Sequence, residues 1–118
     1  MKNRMNNTFQ SGDIITIAFP FADFSRYKIR PVVIISMLPK NAFLVAYITS
    51  SDEDTTPYDV FIHPNKQNNI RKTSRARMNR LITVDETMIH EHIGSISKTT
   101  RKDIARKIML LHDDFLNT

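Results

Sequence analysis

Arg30 stands immediately before Pro31, and proline restricts the residue preceding it to extended backbone geometry. A guanidinium projecting from a preset backbone meets a phosphate at little ordering cost, because its planar fork matches two phosphate oxygens. An ordinary surface arginine satisfies the same local sequence equally well. A larger set of cations, Lys66, Arg71, Lys72, Arg75, Arg77 and Arg80, runs without one acidic residue between its members. Contact with a polyanion requires such clustering, since each cation neutralises one backbone charge. The bias towards arginine tilts this run from a merely solvated stretch towards RNA or DNA.

Two weaker signals lie beside these. Ser25-Arg26-Tyr27-Lys28 brings two more cations just upstream of Arg30. Ile48-Thr49-Ser50 closes an apolar run, and strand alternation puts Thr49 and Ser50 on opposite faces. At most one of the two hydroxyls then enters a given groove, and hydroxyls at strand ends commonly cap loops instead. Phe19, Phe21, Phe24 and Tyr27 could stack on bases, but plugging the end of a small barrel is the better use of them.

Other chemistries are poorly supplied. With only Gly12 and Gly94, the chain has no phosphate-cradling loop of the nucleotide-binding kinds. Without cysteine it has no disulfide, thiolate nucleophile or cysteine–zinc site, which fits a reducing cytoplasm. His90 and His92 would share a face of a strand, yet two imidazoles without a third ligand make a poor metal site. Asp52, Glu53 and Asp54 lack the glycine and spacing of a calcium loop. Neither a metal nor a cofactor is expected.

The elements that must position these residues are short. The chain has 118 residues, 41% hydrophobic and 25% charged, with a net charge of +5. That is one globular domain, and its basic balance favours polyanionic partners. No apolar run approaches the roughly 18 residues of a membrane span. Residues 1–11 are polar, without the apolar core of a secretory signal, and are expected to be a flexible lead to a domain over 12–118. Strands are expected at 13–19, 31–36, 43–50 and 59–63, then weaker ones at 75–78, 81–84 and 93–96. Apolar residues on both faces suit a closed barrel or packed layers. From Lys98 onward, Ile104, Ile108, Leu111 and Phe115 recur at helical spacing, with Ser97 or Thr100 as N-cap and Asp103 in a capping-box position.

In order along the chain, several of these features resemble one family. They are Gly12-Asp13-Ile14-Ile15, Phe19-Pro20-Phe21-Ala22-Asp23, Arg30-Pro31-Val32-Val33-Ile34-Ile35-Ser36 and Ile48-Thr49-Ser50. Ser74-Arg75-Ala76-Arg77-Met78-Asn79, Leu81-Ile82-Thr83-Val84-Asp85 and Ile93-Gly94-Ser95-Ile96-Ser97 continue the match. Together they are similar to the MazF/PemK toxins of bacterial toxin–antitoxin pairs, over about residues 11–116. The resemblance implies a mainly β fold, a small SH3-like antiparallel barrel of the CcdB/MazF type with a C-terminal helix, usually a homodimer. It also implies metal-independent cleavage of single-stranded RNA, inhibition by an acidic antitoxin, and action in the cytoplasm.

Carried over by position, the resemblance makes Arg30 and Thr49 catalytic, with Arg77 an arginine that serves catalysis in some members. Ser25, Arg26, Tyr27, Lys28, Ser50, Arg71, Lys72, Arg75 and Asn79 are the expected RNA contacts. Asn79 stands where many members have aspartate, and the 24–29 loop lacks the histidine or glutamate found in some. The general base is therefore unassigned. Two other activities suit the same barrel: poisoning DNA gyrase as CcdB toxins do, or binding nucleic acid without cutting it. Arg30 and Thr49 favour cleavage.

Overall fold

The computed structural model describes residues 9–20, 27–52 and 54–118. Six strands, β1 (Asp13–Pro20), β2 (Tyr27–Leu38), β3 (Ala42–Thr49), β4 (Asp59–Ile62), β5 (Ser74–Asp85) and β6 (Ile89–Ser95), form one antiparallel sheet. Their order is β4-β5-β3-β2-β1-β6. A 3-10 turn at Glu86–Met88 joins β5 to β6, and helix α1 (Lys98–Leu116) follows.

Alternation along β-branched strands builds two cores, one on each face of the sheet. Ile14, Val33, Ala46, Ile48, Val60, Ile62 and Met78 pack on one face, beneath Ile104 of α1. Ile15, Ile17, Val32, Ile34, Phe43 and Val45 pack on the other. The expected barrel closes through the segment between β4 and β5, since no β4–β6 ladder forms. Ser95 N donates to Gln67 O at 3.0 Å, and Asn69 Nδ2 donates to Ile93 O at 2.8 Å. Gly94 permits this docking, because a Cβ there would lie 2.5 Å from Gln67 O.

Helix α1 begins at Ser97, whose hydroxyl accepts from Thr100 N at 3.1 Å. Asp103 takes no part in the cap and instead accepts from Arg106. Ile104, Ile108 and Leu111 pack onto the first core, but Phe115 is 78% exposed. The apolar stripe thus outruns the sheet it covers. At the other end, Arg101 donates to Ser11 O at 2.8 Å and lies against Gly12, whose φ of 93° favours glycine.

Four elements differ from the sequence expectation, one of them β6, which begins at Ile89 and not at 93 because Ile89 to His92 pair with β1. β2 starts four residues before Pro31, because Tyr27 to Arg30 pair with β1. The two weak strands at 75–78 and 81–84 are one continuous β5, interrupted only in its pairing. Of the expected flexible lead over 1–11, residues 1–8 lie outside the described residues, while Phe9 is buried edge-on against Phe43, 6.2 Å between ring centres, and Gln10 N donates to Asp13. An aromatic ring with a core site to fill outweighs the polar residues around it.

Candidate active site

Three strands deliver the site. Arg30 is exposed on β2, Tyr47 and Thr49 come from the end of β3, and Arg77 and Arg80 come from β5. Together with Ile48 they line one open cleft of about 300 Å³. The sequence alone brings Arg30, Thr49 and Arg77 no closer than nineteen positions apart; the sheet puts all three in this cleft.

Pairing explains the two β5 arginines. Ala46 is opposite Leu81, while the next residue of β3, Tyr47, is opposite Arg77. Met78, Asn79 and Arg80 are therefore extra residues, accommodated as a bulge. In regular strand geometry residues three apart face opposite ways, and a bulge re-aims side chains. Arg77 and Arg80 consequently line the same cleft. Asn79, within the bulge, is exposed and does not line it.

Thr49 is prepared as a donor. Its Oγ1 accepts from Ser51 N at 3.1 Å, which leaves the hydroxyl proton to point elsewhere. Tyr47 is held by a stacked Phe19, 5.8 Å between ring centres. Arg77 is only 14% exposed in its side chain: Nη2 donates to Asp54 O at 2.7 Å, and Nε lies 3.5 Å from Asp59 Oδ1.

Arg75 does not belong to this surface. It is 3% exposed, donates to Asp59 and to Ser51 O, and cannot reach an RNA phosphate without breaking that buried ion pair. Its expected role as an RNA contact is corrected accordingly. Asp59 also accepts from Thr56 N at 2.9 Å and Thr56 Oγ1 at 3.1 Å. Burial by itself would raise the Asp59 carboxyl, but the Thr56 amide and the Arg75 guanidinium together hold it below its ordinary value.

Lys28, Ser50, Arg71 and Lys72 are exposed, but none of them lines the cleft. Arg71 instead borders a smaller cavity nearby. Ser25, Arg26 and the side chain of Tyr27 lie outside the described residues. Sequence reasoning missed Tyr47 and Arg80 as lining residues. Alternation from Thr49 could have found Tyr47; nothing local announces the bulge that turns Arg80 inward. Among the described residues, the lining holds three guanidinium groups, a hydroxyl and a phenol, with no carboxylate or imidazole. Such a site stabilises a phosphate carrying extra negative charge.

A family described as the PemK-like, MazF-like toxins of type II toxin–antitoxin systems matches residues 10–112. No curated protein matches the chain. Among solved structures, one titled MazE-MazF from Deinococcus radiodurans aligns with a TM-score of 0.71 at 13% identity, covering 89% of this chain and 96% of the other. The Mycobacterium tuberculosis toxin MazF-mt6 aligns at 0.65 and 17% identity, covering 84% and 96%. A mycobacterial endoribonuclease in complex with its cognate antitoxin aligns at 0.67 and 12% identity, covering 88% and 92%. At these identities the structures establish a shared fold.

Proposed function

Since the chain belongs to the PemK-like, MazF-like toxin family of type II toxin–antitoxin systems, we propose that it cuts single-stranded RNA without a metal ion. The supporting observation is the open cleft of about 300 Å³ that Arg30, Thr49 and Arg77 line together, with room for a phosphate group. A ribose 2′-OH gives up its proton as its oxygen bonds to the adjacent phosphorus, the bond from phosphorus to the 5′ oxygen breaks, that oxygen takes up a proton, and the products carry a 2′,3′-cyclic phosphate and a 5′-OH. Extra charge gathers on the non-bridging oxygens during attack. Arg30 meets it as a two-donor clamp, and Thr49 adds its free hydroxyl proton. Arg77, anchored at Asp54 and close to Asp59, supplies a fixed positive potential at the cleft wall. With a pKa above about 12, an arginine serves as clamp and not as base.

The same cationic cleft suits an acidic antitoxin segment, which would neutralise the toxin in the cytoplasm by occupying the RNA site. A homodimer is part of this proposal, supported by the exposed apolar residues Met109, Phe115 and Leu116 at the end of α1. The deciding experiment incubates purified protein with long RNA in excess chelator and maps the new 5′ ends. Discrete cuts bearing 5′-OH groups are expected. Cutting that chelator abolishes and a divalent ion restores would overturn the mechanism; a retarded but intact RNA would identify a binding module.

A further inference from the structure

A second cavity of about 230 Å³ adjoins the cleft. Pro31, Ile48, Ile70 and Ile93 form its apolar walls, and Asn69, Arg71 and Ser74 supply polar groups. The junction follows from strand pairing. The β2–β3 ladder begins at Val32 and Tyr47, although β2 runs on along β1 to Tyr27 and β3 runs on along β5 to Thr49. Beyond that pair the strands part. Pro31, which has no N–H to offer a ladder, stands at the fork next to Ile48. Alternation puts Arg30 and Thr49 on one side of the fork and Pro31 and Ile48 on the other, and Ile48 lines both spaces.

The outer wall is pre-organised. Asn68 is 2% exposed; its Nδ2 donates to His63 O, and its Oδ1 accepts from the Asn65 and Ile70 amides. Asn69 sits in the left-handed region, with φ 56°. Its Nδ2 is committed to Ile93 O, so its Oδ1 is the atom left to accept a further hydrogen bond. A largely apolar slot lined also by the Asn69 amide oxygen, the Arg71 guanidinium and the Ser74 hydroxyl, whose proton goes to Lys72 O, is smaller than the roughly 300–1,000 Å³ of drug-sized pockets and fits a single planar heterocycle.

We infer that this cavity receives one unstacked nucleobase of the strand whose phosphate lies in the cleft, with Asn69 and Arg71 reading its edge. The inference rests on the RNA reading above and adds a source of sequence selectivity, since single-stranded RNA is recognised through splayed bases. An apolar side chain from a protein partner is the competing occupant. The fork favours the base, because Ile48 lines both the phosphate space and the slot, and each space has a guanidinium in its lining, Arg30 in one and Arg71 in the other.

Amide chemical-shift mapping of the full chain tests this with inorganic phosphate and each of the four nucleoside monophosphates as probes. Phosphate should move Arg30 and Thr49 alone. At least one nucleotide should in addition move Asn69, Ile70 and Ile93, and Ile70→Trp should remove those base-dependent shifts while Thr49 still responds. Asn69→Gly keeps the left-handed backbone, carries the test if the tryptophan variant fails to fold, and should weaken the preferred nucleotide about tenfold. Nucleotides that move the cleft but leave the cavity unmoved would overturn the inference. So would cavity shifts produced by an acidic, leucine-containing peptide but by no nucleotide. Base-dependent cavity shifts with a silent cleft would sustain the slot and remove the phosphate site.

Discussion

Arg75 and Arg30 stand near the same end of the sheet, yet their surroundings have opposite consequences. Arg75 is enclosed with Asp59, beside Thr56 and the Ser51 carbonyl, so its donors are used within the fold. Arg30 is exposed in a cleft lined by Arg77, Arg80 and Thr49, with no carboxylate in the lining among the described residues. The first region joins β4, β5 and the segment after β3. The second keeps positive charge available for a ligand. What divides them is how far each is engaged by Asp59: Arg75 is buried against that carboxylate, Arg77 lies 3.5 Å from it while still lining the cleft, and Arg30 lines the cleft as an exposed residue.

Breaking the buried region should produce the largest effect. Arg75→Ala leaves Asp59 buried without its main counter-charge, a loss of about 3–5 kcal/mol for broken buried pairs. Urea denaturation should show it, and an unchanged midpoint would place Arg75 with the free cations. Next comes the cleft. Arg30→Ala should lower single-turnover RNA cleavage by about 10²–10³-fold, the usual range for a lost transition-state donor, while RNA affinity changes far less. Arg30→Lys should restore only part of the rate, because a point charge lacks the two-donor fork. Circular dichroism should be that of the parent in both, since an exposed arginine supplies little packing. A folded Arg30→Ala protein cutting at the parental rate would dissolve the contrast between the two regions.

The contrast also has a pH signature. Asp59 is held below the ordinary aspartate value of about 3.9, so the folded state binds its proton more weakly than the unfolded state does. The resulting stability is fully present above about pH 4 and is lost as pH falls through the folded pKa. Asp85, whose carboxylate accepts from the Thr87 hydroxyl and amide, is lowered too, so its contribution has the same sign. Asp59→Asn should therefore flatten part of the acid limb of a stability–pH curve, and Asp85→Asn a smaller part. An Asp59→Asn curve parallel to the parent's would detach Asp59 from the acid response.

Much of this arrangement was legible in the residues. Apolar β-branched runs marked the strands, the period of Ile104, Ile108 and Leu111 marked the helix, and the Arg30–Pro31 step marked a cation with fixed direction. The cleft grouping of Arg30, Thr49 and Arg77 was accessible only through resemblance, because their approach depends on non-local strand pairing. Arg75 was misjudged for the same reason. Within an uninterrupted basic run nothing local distinguishes the member that meets Asp59, sixteen residues away, from those facing solvent. Arg80 needed knowledge of a bulge, and Phe115 needed knowledge of where the sheet under α1 ends.

The smallest predicted effect belongs to Lys72, which shares the basic run with Arg75 but is exposed and lines neither the cleft nor the adjoining cavity. An ammonium on a flexible stem is a strongly hydrated point charge, so it can contribute one loosely held phosphate contact and little geometry. Its contribution to RNA binding is then the release of a condensed counterion. For single strands, one such contact carries a slope of about −0.7 in log affinity against log salt. Lys72→Ala should reduce the salt slope by roughly that amount, weaken RNA binding about equally across sequences, and leave the cleavage rate at saturating RNA unchanged. Unfolding stability should stay within about 0.5 kcal/mol of the parent, as for surface substitutions away from buried networks. Fluorescence titrations at four or more salt concentrations measure the slope, and single-turnover cleavage measures the rate. A changed slope with an unchanged rate keeps Lys72 in the outer field of the site. A rate loss approaching that of Arg30→Ala would mean that the catalytic region extends beyond the cleft into the basic segment before β5.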